Sequence, residues 1–278
     1  MIRSLSKNIW IALCLLLLVS ACSKFRKIQR SEDWRIKYDA GLNFYQKKDY
    51  YHTAILFEEI LPVVRGLPEG EKVEFYLAYC QYYEKTYLLA SSQFKTFYET
   101  YGRSSLAQEA FFMYAYSLYV ASPPSNLDQK TSVEAMDAMQ TFLNQFPESK
   151  FRDKATEVIN ISQAKLEEKG KDNAKQYLQM KMYKAAIIAF DNFKKSFPDS
   201  KYLEELAYQK VVAQYRFSLQ SFQALQLERY TLVITYYQEL VDNFPDSQYL
   251  KDAQKMYSDS LMEVTRLKLL KAKTTKNS

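Results

Sequence analysis

The 278-residue sequence has few of the residues that build catalytic centres and metal sites. It contains one histidine, His52, so a histidine-based triad or zinc site would have to use that residue. It has no G-x-G-x-x-G or G-x-x-x-x-G-K-[ST] motif, which excludes the usual phosphate-binding loops. Acidic pairs such as Glu58-Glu59 are neighbours on predicted helices and do not face each other. We therefore predict a protein that is not an enzyme and has no metal or dissociable cofactor.

Cysteine, glycine and proline are also scarce. The three cysteines are Cys14, Cys22 and Cys80, and Cys80 lies in an apolar helical run as a small hydrophobic residue. Five glycines and seven prolines leave long uninterrupted stretches, whereas β-sheets would need more turn residues. Together these counts predict an all-α fold stabilised by helix packing rather than by disulfides.

The amino terminus has the features of a bacterial lipoprotein signal. Basic residues precede an apolar run from Ile9 to Val19, and Ser20-Ala21-Cys22 follow it. A membrane span needs about 20 apolar residues, so this run is too short for an uncleaved anchor. We expect residues 1–21 to be a cleaved signal peptide and Cys22 to be the lipidated (acyl- or palmitoyl-bearing) first residue. Residues 22–31 would then form a polar tether, in which Lys24, Arg26, Lys27 and Arg30 lie near phosphate head groups.

A degenerate repeat runs through the rest of the chain. Three short segments are nearly identical in sequence: Phe146-Pro147-Glu148-Ser149, Phe197-Pro198-Asp199-Ser200 and Phe244-Pro245-Asp246-Ser247. A more diverged fourth copy is Tyr101-Gly102-Arg103-Ser104. Each motif reads as the end of one helix followed by a serine N-cap for the next. Small and large residues four positions apart precede these junctions, at Thr53/Phe57, Ala90/Phe94, Ala135/Met139, Ala186/Phe190 and Val233/Tyr237.

This pattern is half of the tetratricopeptide signature, A-x3-F…P. It predicts an all-α, tetratricopeptide-like helix-turn-helix solenoid of about five units over residues 32–265, wound as a right-handed superhelix. The N-terminal units would occupy residues 32–120 and the C-terminal units 121–265, with a basic tail at 266–278. Intervals longer than the usual repeat of about 34 residues predict insertions at Ala121–Asn126 and near Ser218–Leu227. The competing interpretation is a non-repetitive helical bundle.

The lipoprotein signal, the widened repeats and the F-P-[DE]-S-x-[FY] junctions together resemble the BamD (ComL) family of outer-membrane assembly lipoproteins. Within the first unit, the resemblance rests on Tyr38-Asp39-Ala40-Gly41 and Lys48-Asp49-Tyr50-Tyr51. It implies a lipid-anchored adaptor on the periplasmic face of the outer membrane, without catalytic residues. The partners it implies are the barrel-forming subunit of the β-barrel assembly machinery and unfolded barrel substrates. Family members usually recognise substrates through N-terminal units and dock the subunit through C-terminal ones.

Tyrosine is abundant, with 24 residues, and offers apolar area together with a hydroxyl group. First helices of tetratricopeptide units line the concave side, where an aromatic groove would suit the aromatic end of a barrel strand. The candidate residues for substrate or partner binding are Tyr38, Tyr45, Tyr76, Tyr79, Tyr82 and Tyr83. The competing interpretation is that these tyrosines only pack the fold.

The mild net charge of +6 gives no reason to expect a nucleic-acid partner. Two other functions remain open at this stage. One is a tetratricopeptide lipoprotein that serves as a scaffold for cell-wall or division processes, and the other is a wall lytic enzyme on a helical solenoid.

Overall fold

A computed structural model of the protein describes residues 24–276, with side chains as far as residue 273. The predicted signal peptide and the predicted lipidation site Cys22 lie outside the described residues. Eleven helices follow a short helical segment at residues 24–29, and the described residues contain no strand. The helices are α1 Trp34–Gln46, α2 Tyr50–Val64, α3 Pro68–Tyr83, α4 Tyr87–Thr100, α5 Ala107–Ala121, α6 Lys130–Gln145, α7 Arg152–Gln179, α8 Tyr183–Ser196, α9 Leu203–Leu219, α10 Gln223–Asn243 and α11 Leu250–Lys276.

The helices form five consecutive hairpins, α1/α2 to α9/α10, with α11 after the last one. This confirms the all-α tetratricopeptide-like fold and the number of units. The chain divides into two compact units, of which the first contains residues 24–123 and 128–162. The second contains residues 124–127 and 163–276. In the first unit each helix from α1 to α6 packs on the next one along the chain, and in the second unit α8 to α11 do the same. The right-handed winding stays a prediction.

The small and large positions of the second helices make the core, as the repeat predicted. Thr53, Phe57, Ala90 and Phe94 are all completely buried, as are the equivalent residues in α6. The exception is Tyr237 in α10, which is half-buried and stacks on Tyr257 with 4.5 Å between ring centroids. In the last unit, the large position of the repeat is therefore occupied by a half-buried ring that packs on α11, and not by a core residue.

Three hairpin turns are closed by the same backbone geometry. Lys48, Lys85 and Lys181 each have positive φ, at 61°, 64° and 60°. In the first turn the Asp49 amide donates to Phe44 O and the Lys48 amide donates to Tyr45 O, both at 2.9 Å. This is the Schellman arrangement, which satisfies the last carbonyl groups of a helix and normally places glycine where these lysines lie.

The serines of the junction motif begin a turn just before the next helix. The amides of Phe151, Tyr202 and Tyr249 donate to the hydroxyl oxygen of the serine two residues earlier, at 3.1, 3.3 and 3.2 Å. Each serine therefore lies two positions further from the helix than a standard N-cap, so the predicted serine N-cap is displaced into the turn. Two serines of the junction motifs also form a hydrogen bond with a preceding helix. Ser200 Oγ donates to Glu167 Oε2 at 2.8 Å, and Ser104 Oγ, in the fourth copy of the motif, donates to Glu71.

The extra length of the later repeats is placed only partly where the sequence suggested. A loop at residues 122–129 separates α5 from α6, at the predicted Ala121–Asn126 insertion. The second predicted insertion, near Ser218–Leu227, is present as extra helical turns rather than as a loop. Helix α10 begins at Gln223, seven residues before Tyr230, whereas α2, α4 and α8 begin at the tyrosine equivalent to Tyr230. The additional residues lengthen α10 to 21 residues, and α7 reaches 28. Helix α11 continues into the predicted basic tail as far as Lys276, and Leu267 within it is buried.

Candidate peptide-binding surface

The first compact unit holds a continuous system of tyrosine rings, here called the tyrosine cluster. Its members come from the end of α1, the start of α2, the length of α3 and neighbouring positions of α4 and α5. They are Tyr45, Tyr50, Tyr76, Tyr79, Tyr82, Tyr83, Tyr87 and Tyr116. In α3, Tyr76, Tyr79 and Tyr83 follow one another at spacings of three and four, which places them on one helix face.

Ring contacts connect the first hairpin to the second. Tyr45 packs against Tyr76 with 4.6 Å between centroids and against Tyr50 at 5.6 Å. Tyr50 stacks on Tyr83 at 4.3 Å with 17° between the ring planes, and Tyr83 stacks on Tyr79 at 5.9 Å. Offset and edge contacts of this kind contribute about 0.5–1.5 kcal/mol per pair beyond area burial. The rings therefore form one preorganised surface rather than separate side chains.

Tyr82 extends the cluster toward the third hairpin. Its ring lies 5.5 Å from Tyr83, 5.4 Å from Tyr87 and 6.3 Å from Tyr116. Tyr83 is the most accessible of the predicted site residues, with 44% of its surface exposed, whereas the other five are half-buried. A ligand approaching the cluster would therefore meet the Tyr83 ring first.

The phenol groups of Tyr45, Tyr79 and Tyr82 stay neutral in the physiological range, because burial raises the pKa of each. Burial raises the pKa of Tyr45 well above its usual value, and the nearby Tyr83 and Cys80 add to the shift. Burial also raises the pKa of Tyr79, whose hydroxyl donates to Glu109 Oε1 at 2.6 Å. Burial raises the pKa of Tyr82 to about 12. These hydroxyls can donate or accept hydrogen bonds, but they are poorly suited to act as bases or nucleophiles.

Tyr38 lies apart from the ring system that joins the other five predicted residues. Its ring packs against Trp34 at 6.4 Å and against the buried Phe57 at 6.3 Å. Tyr38 therefore contributes mainly to the core of the first hairpin, although Tyr76 packs on the same core. The structure adds Tyr50, Tyr87 and Tyr116, which the sequence analysis did not select. Tyr50 and Tyr87 occupy the repeat position three residues before the small core residue, and this spacing could have identified them.

Cys80 in α3 lies beneath the tyrosines and is completely buried. Burial raises the pKa of its thiol to about 12, with contributions from Glu84 and Glu58, so the reactive thiolate is scarce at neutral pH. In the part of the chain that the structure describes, no three His, Cys, Asp or Glu side chains come close enough to hold a metal ion. Over the same residues, no helix is long and apolar enough to cross a bilayer.

An all-α array of helical hairpins is the architecture of a tetratricopeptide-type protein. The profile of the outer membrane lipoprotein family YfiO matches residues 32–231, from just before α1 into α10. The chain belongs to this family, which agrees with the BamD-type resemblance of the sequence. No protein in the curated collection matches the chain.

Proposed function

We propose that the protein is a lipid-anchored, non-enzymatic adaptor of the machinery that assembles β-barrels in the outer membrane. Cys22 would carry the lipid, and the helical hairpins would face the periplasm. The partners would be the barrel-forming subunit and unfolded barrel substrates. Membership of an outer membrane lipoprotein family supports the location, and the tyrosine cluster supports a role in peptide binding.

The observation that carries the substrate role is the stacked series Tyr50–Tyr83–Tyr79 with Tyr83 exposed. Ring faces fixed in this way lose little conformational entropy when a partner binds. A segment that ends in an aromatic residue can place its ring against Tyr83 while the neutral hydroxyls bond to its backbone. This combination fits the terminal strand of an unfolded barrel protein.

Binding of a peptide from the carboxyl terminus of a barrel protein tests this role. Tyr83→Ala should weaken binding by about tenfold, since truncating an aromatic contact residue costs on the order of 1–2 kcal/mol. Tyr83→Phe should retain most of the affinity because the ring remains. Tyr177→Ala is the matched control, since Tyr177 in α7 has a similar exposure of 38% and lies outside the cluster. Equal affinities for Tyr83→Ala and the unaltered protein would refute the substrate role.

Co-purification from detergent-solubilised membranes tests the adaptor role separately. We expect a barrel protein with periplasmic domains to be recovered with the intact lipoprotein and identified by mass spectrometry. Recovery of cell-wall or division proteins in its place would favour the scaffold alternative. Cys22→Ala should leave the helical fold unchanged and remove the protein from the membrane fraction.

A further inference from the structure

Residues 24–30, which belong to the predicted polar tether at residues 22–31, are docked on the first hairpin. Phe25 packs against Phe44 of α1 at 5.8 Å and against His52 of α2 at 4.2 Å between ring centroids. Gln29 Nε2 donates to Glu59 Oε1 at 2.6 Å, farther along α2. Glu59 also pairs with Lys37 Nζ at 2.7 Å, so it connects the segment, α1 and α2.

Docking divides the segment into two faces. Phe25, Ile28 and Gln29 are half-buried on the side of the hairpin. The exposed side carries only basic residues, since residues 23–31 contain no acid. These exposed residues are Lys24, Arg26, Lys27 and Arg30.

The end of the hairpin next to Phe25 has the same character. The α1–α2 turn, which joins Phe44 to His52, exposes Lys48. Tyr51 is 63% exposed and its ring lies 5.4 Å from His52, the residue that Phe25 covers. Tyrosine and lysine are residues that favour the boundary between water and lipid. The acid of the same turn, Asp49, is half-buried, and its carboxylate lies 2.8 Å from Nδ1 of His52. The exposed charges of this surface are therefore basic, and they lie beside one exposed aromatic ring.

We propose that this face binds the surface of an anionic phospholipid bilayer and fixes the orientation of the first hairpin against it. Two residues of chain span at most about 7 Å, so an acyl anchor on Cys22 would reach the bilayer right beside Lys24. Basic side chains complement phosphate head groups, and the docked segment transmits that contact to α1 and α2. The inference rests on the proposed anchor only for the presence of the bilayer.

Vesicle binding by the unlipidated chain from residue 22 onward, carrying Cys22→Ser, tests the lipid contact. We expect binding to vesicles of phosphatidylcholine mixed with phosphatidylglycerol, much weaker binding to phosphatidylcholine alone, and loss of binding at high salt. Replacing Lys24, Arg26, Lys27 and Arg30 by glutamine should lower the affinity by about fivefold per residue, because each contributes about 1 kcal/mol near an anionic surface.

The control variant replaces four exposed lysines of the second compact unit by glutamine, with the same change in net charge. These are Lys184, Lys194, Lys195 and Lys251. It should bind the mixed vesicles nearly as well as the parent chain. Equal losses in both variants, or equal binding to both kinds of vesicle, would overturn the proposal. Since no peptide or partner protein is present, the result is independent of the tests of the proposed function.

A spin label on Lys47→Cys, in the turn beside Phe25, tests the fixed orientation; the buried Cys80 stays unlabelled. We expect this label to be relaxed by a paramagnetic head-group lipid in mixed vesicles. A label on Glu148→Cys, at an exposed position just after the third hairpin of the same compact unit, should be relaxed much less. Phe25→Ala keeps every basic residue, so vesicle affinity should change little while the contact of the label at residue 47 is lost. Equal relaxation at both positions, or no effect of Phe25→Ala on the label at residue 47, would overturn the docked orientation.

Discussion

The ring of Phe57 in α2 occupies the space in front of Gly41 in α1. A Cβ atom added at Gly41 would lie 2.3 Å from Cε1 of Phe57, and Phe57 is completely buried. The hydroxyl of Thr53, one turn earlier in α2, donates to the Gly41 carbonyl at 3.3 Å. This small-to-large contact holds the first hairpin closed.

Gly41→Ala should therefore destabilise the protein, although alanine normally favours a helix. Overpacking of a core of this kind costs about 1–3 kcal/mol, which exceeds the gain of about 1 kcal/mol in helix propensity. Urea unfolding of the soluble chain measures the difference. Gly102→Ala is the control, because a Cβ there meets only the Tyr98 carbonyl oxygen at 3.4 Å. A Gly41→Ala protein as stable as the Gly102→Ala protein would contradict the close contact.

Lys85→Gly should stabilise the protein, because Lys85 has φ of 64° at the end of α3. The left-handed conformation costs a side-chain-bearing residue about 1–2 kcal/mol, whereas glycine pays about 0.5–1 kcal/mol of additional chain entropy. The expected gain is about 0.5–1 kcal/mol in the free energy of unfolding. The neighbouring Glu84 has φ of −75°, so Glu84→Gly should lower the stability instead. Denaturant unfolding of the two variants should show opposite signs.

Ser200→Ala should cost about 1–2 kcal/mol, because it removes the hydrogen bonds to Tyr202 N and Glu167 Oε2. Ser247 makes the corresponding turn contact with Tyr249 N, and Ser247→Ala should therefore cost less. A double-mutant cycle between Ser200→Ala and Glu167→Ala measures the energy of the hydrogen bond between these two side chains directly. A coupling energy near zero would show that the two side chains do not interact.

Stability should fall steeply in alkaline solution. The pKa of Tyr82 is raised by burial from 10 to about 12, so the folded state keeps the phenol protonated where the unfolded state loses its proton. Its contribution is complete below pH 10 and is lost as the pH rises through 12. Tyr208 and Tyr215 in the second compact unit, also with pKa values raised to about 12, act in the same direction. Ultraviolet titration of tyrosinate, with denatured protein as the reference, should show a late class of tyrosines.

The sequence predicted those parts of the fold that depend on contacts within one hairpin. Ala90 and Phe94 are four residues apart on one helix, so their shared burial follows from helix geometry alone. The docking of Phe25 on His52 could not be predicted, because a segment of seven residues is too short for its periodicity to identify a buried face. The positive φ of Lys85 was equally inaccessible, since that conformation is normally associated with glycine.

The sequence predicted only those parts of the candidate surface that depend on spacing within one helix. Tyr76, Tyr79 and Tyr83 share a face of α3, which their spacing reveals. Whether Tyr50 reaches Tyr83 depends on how closely the first two hairpins approach each other, and residue spacing within one helix does not give that distance. Spacing alone likewise could not show that Tyr38 lies outside the tyrosine cluster, with its ring packed against the core of its own hairpin.

Most contacts in the first compact unit join helices that are neighbours along the chain. Few native contacts there join residues that are far apart in the sequence, so folding can begin in any hairpin and spread to the next one. Damage should be equally local. A destabilising substitution in the α1/α2 hairpin should speed amide exchange in that hairpin first, while the aromatic core of the third hairpin stays protected. The array should therefore unfold locally, one hairpin at a time, rather than in a single global step.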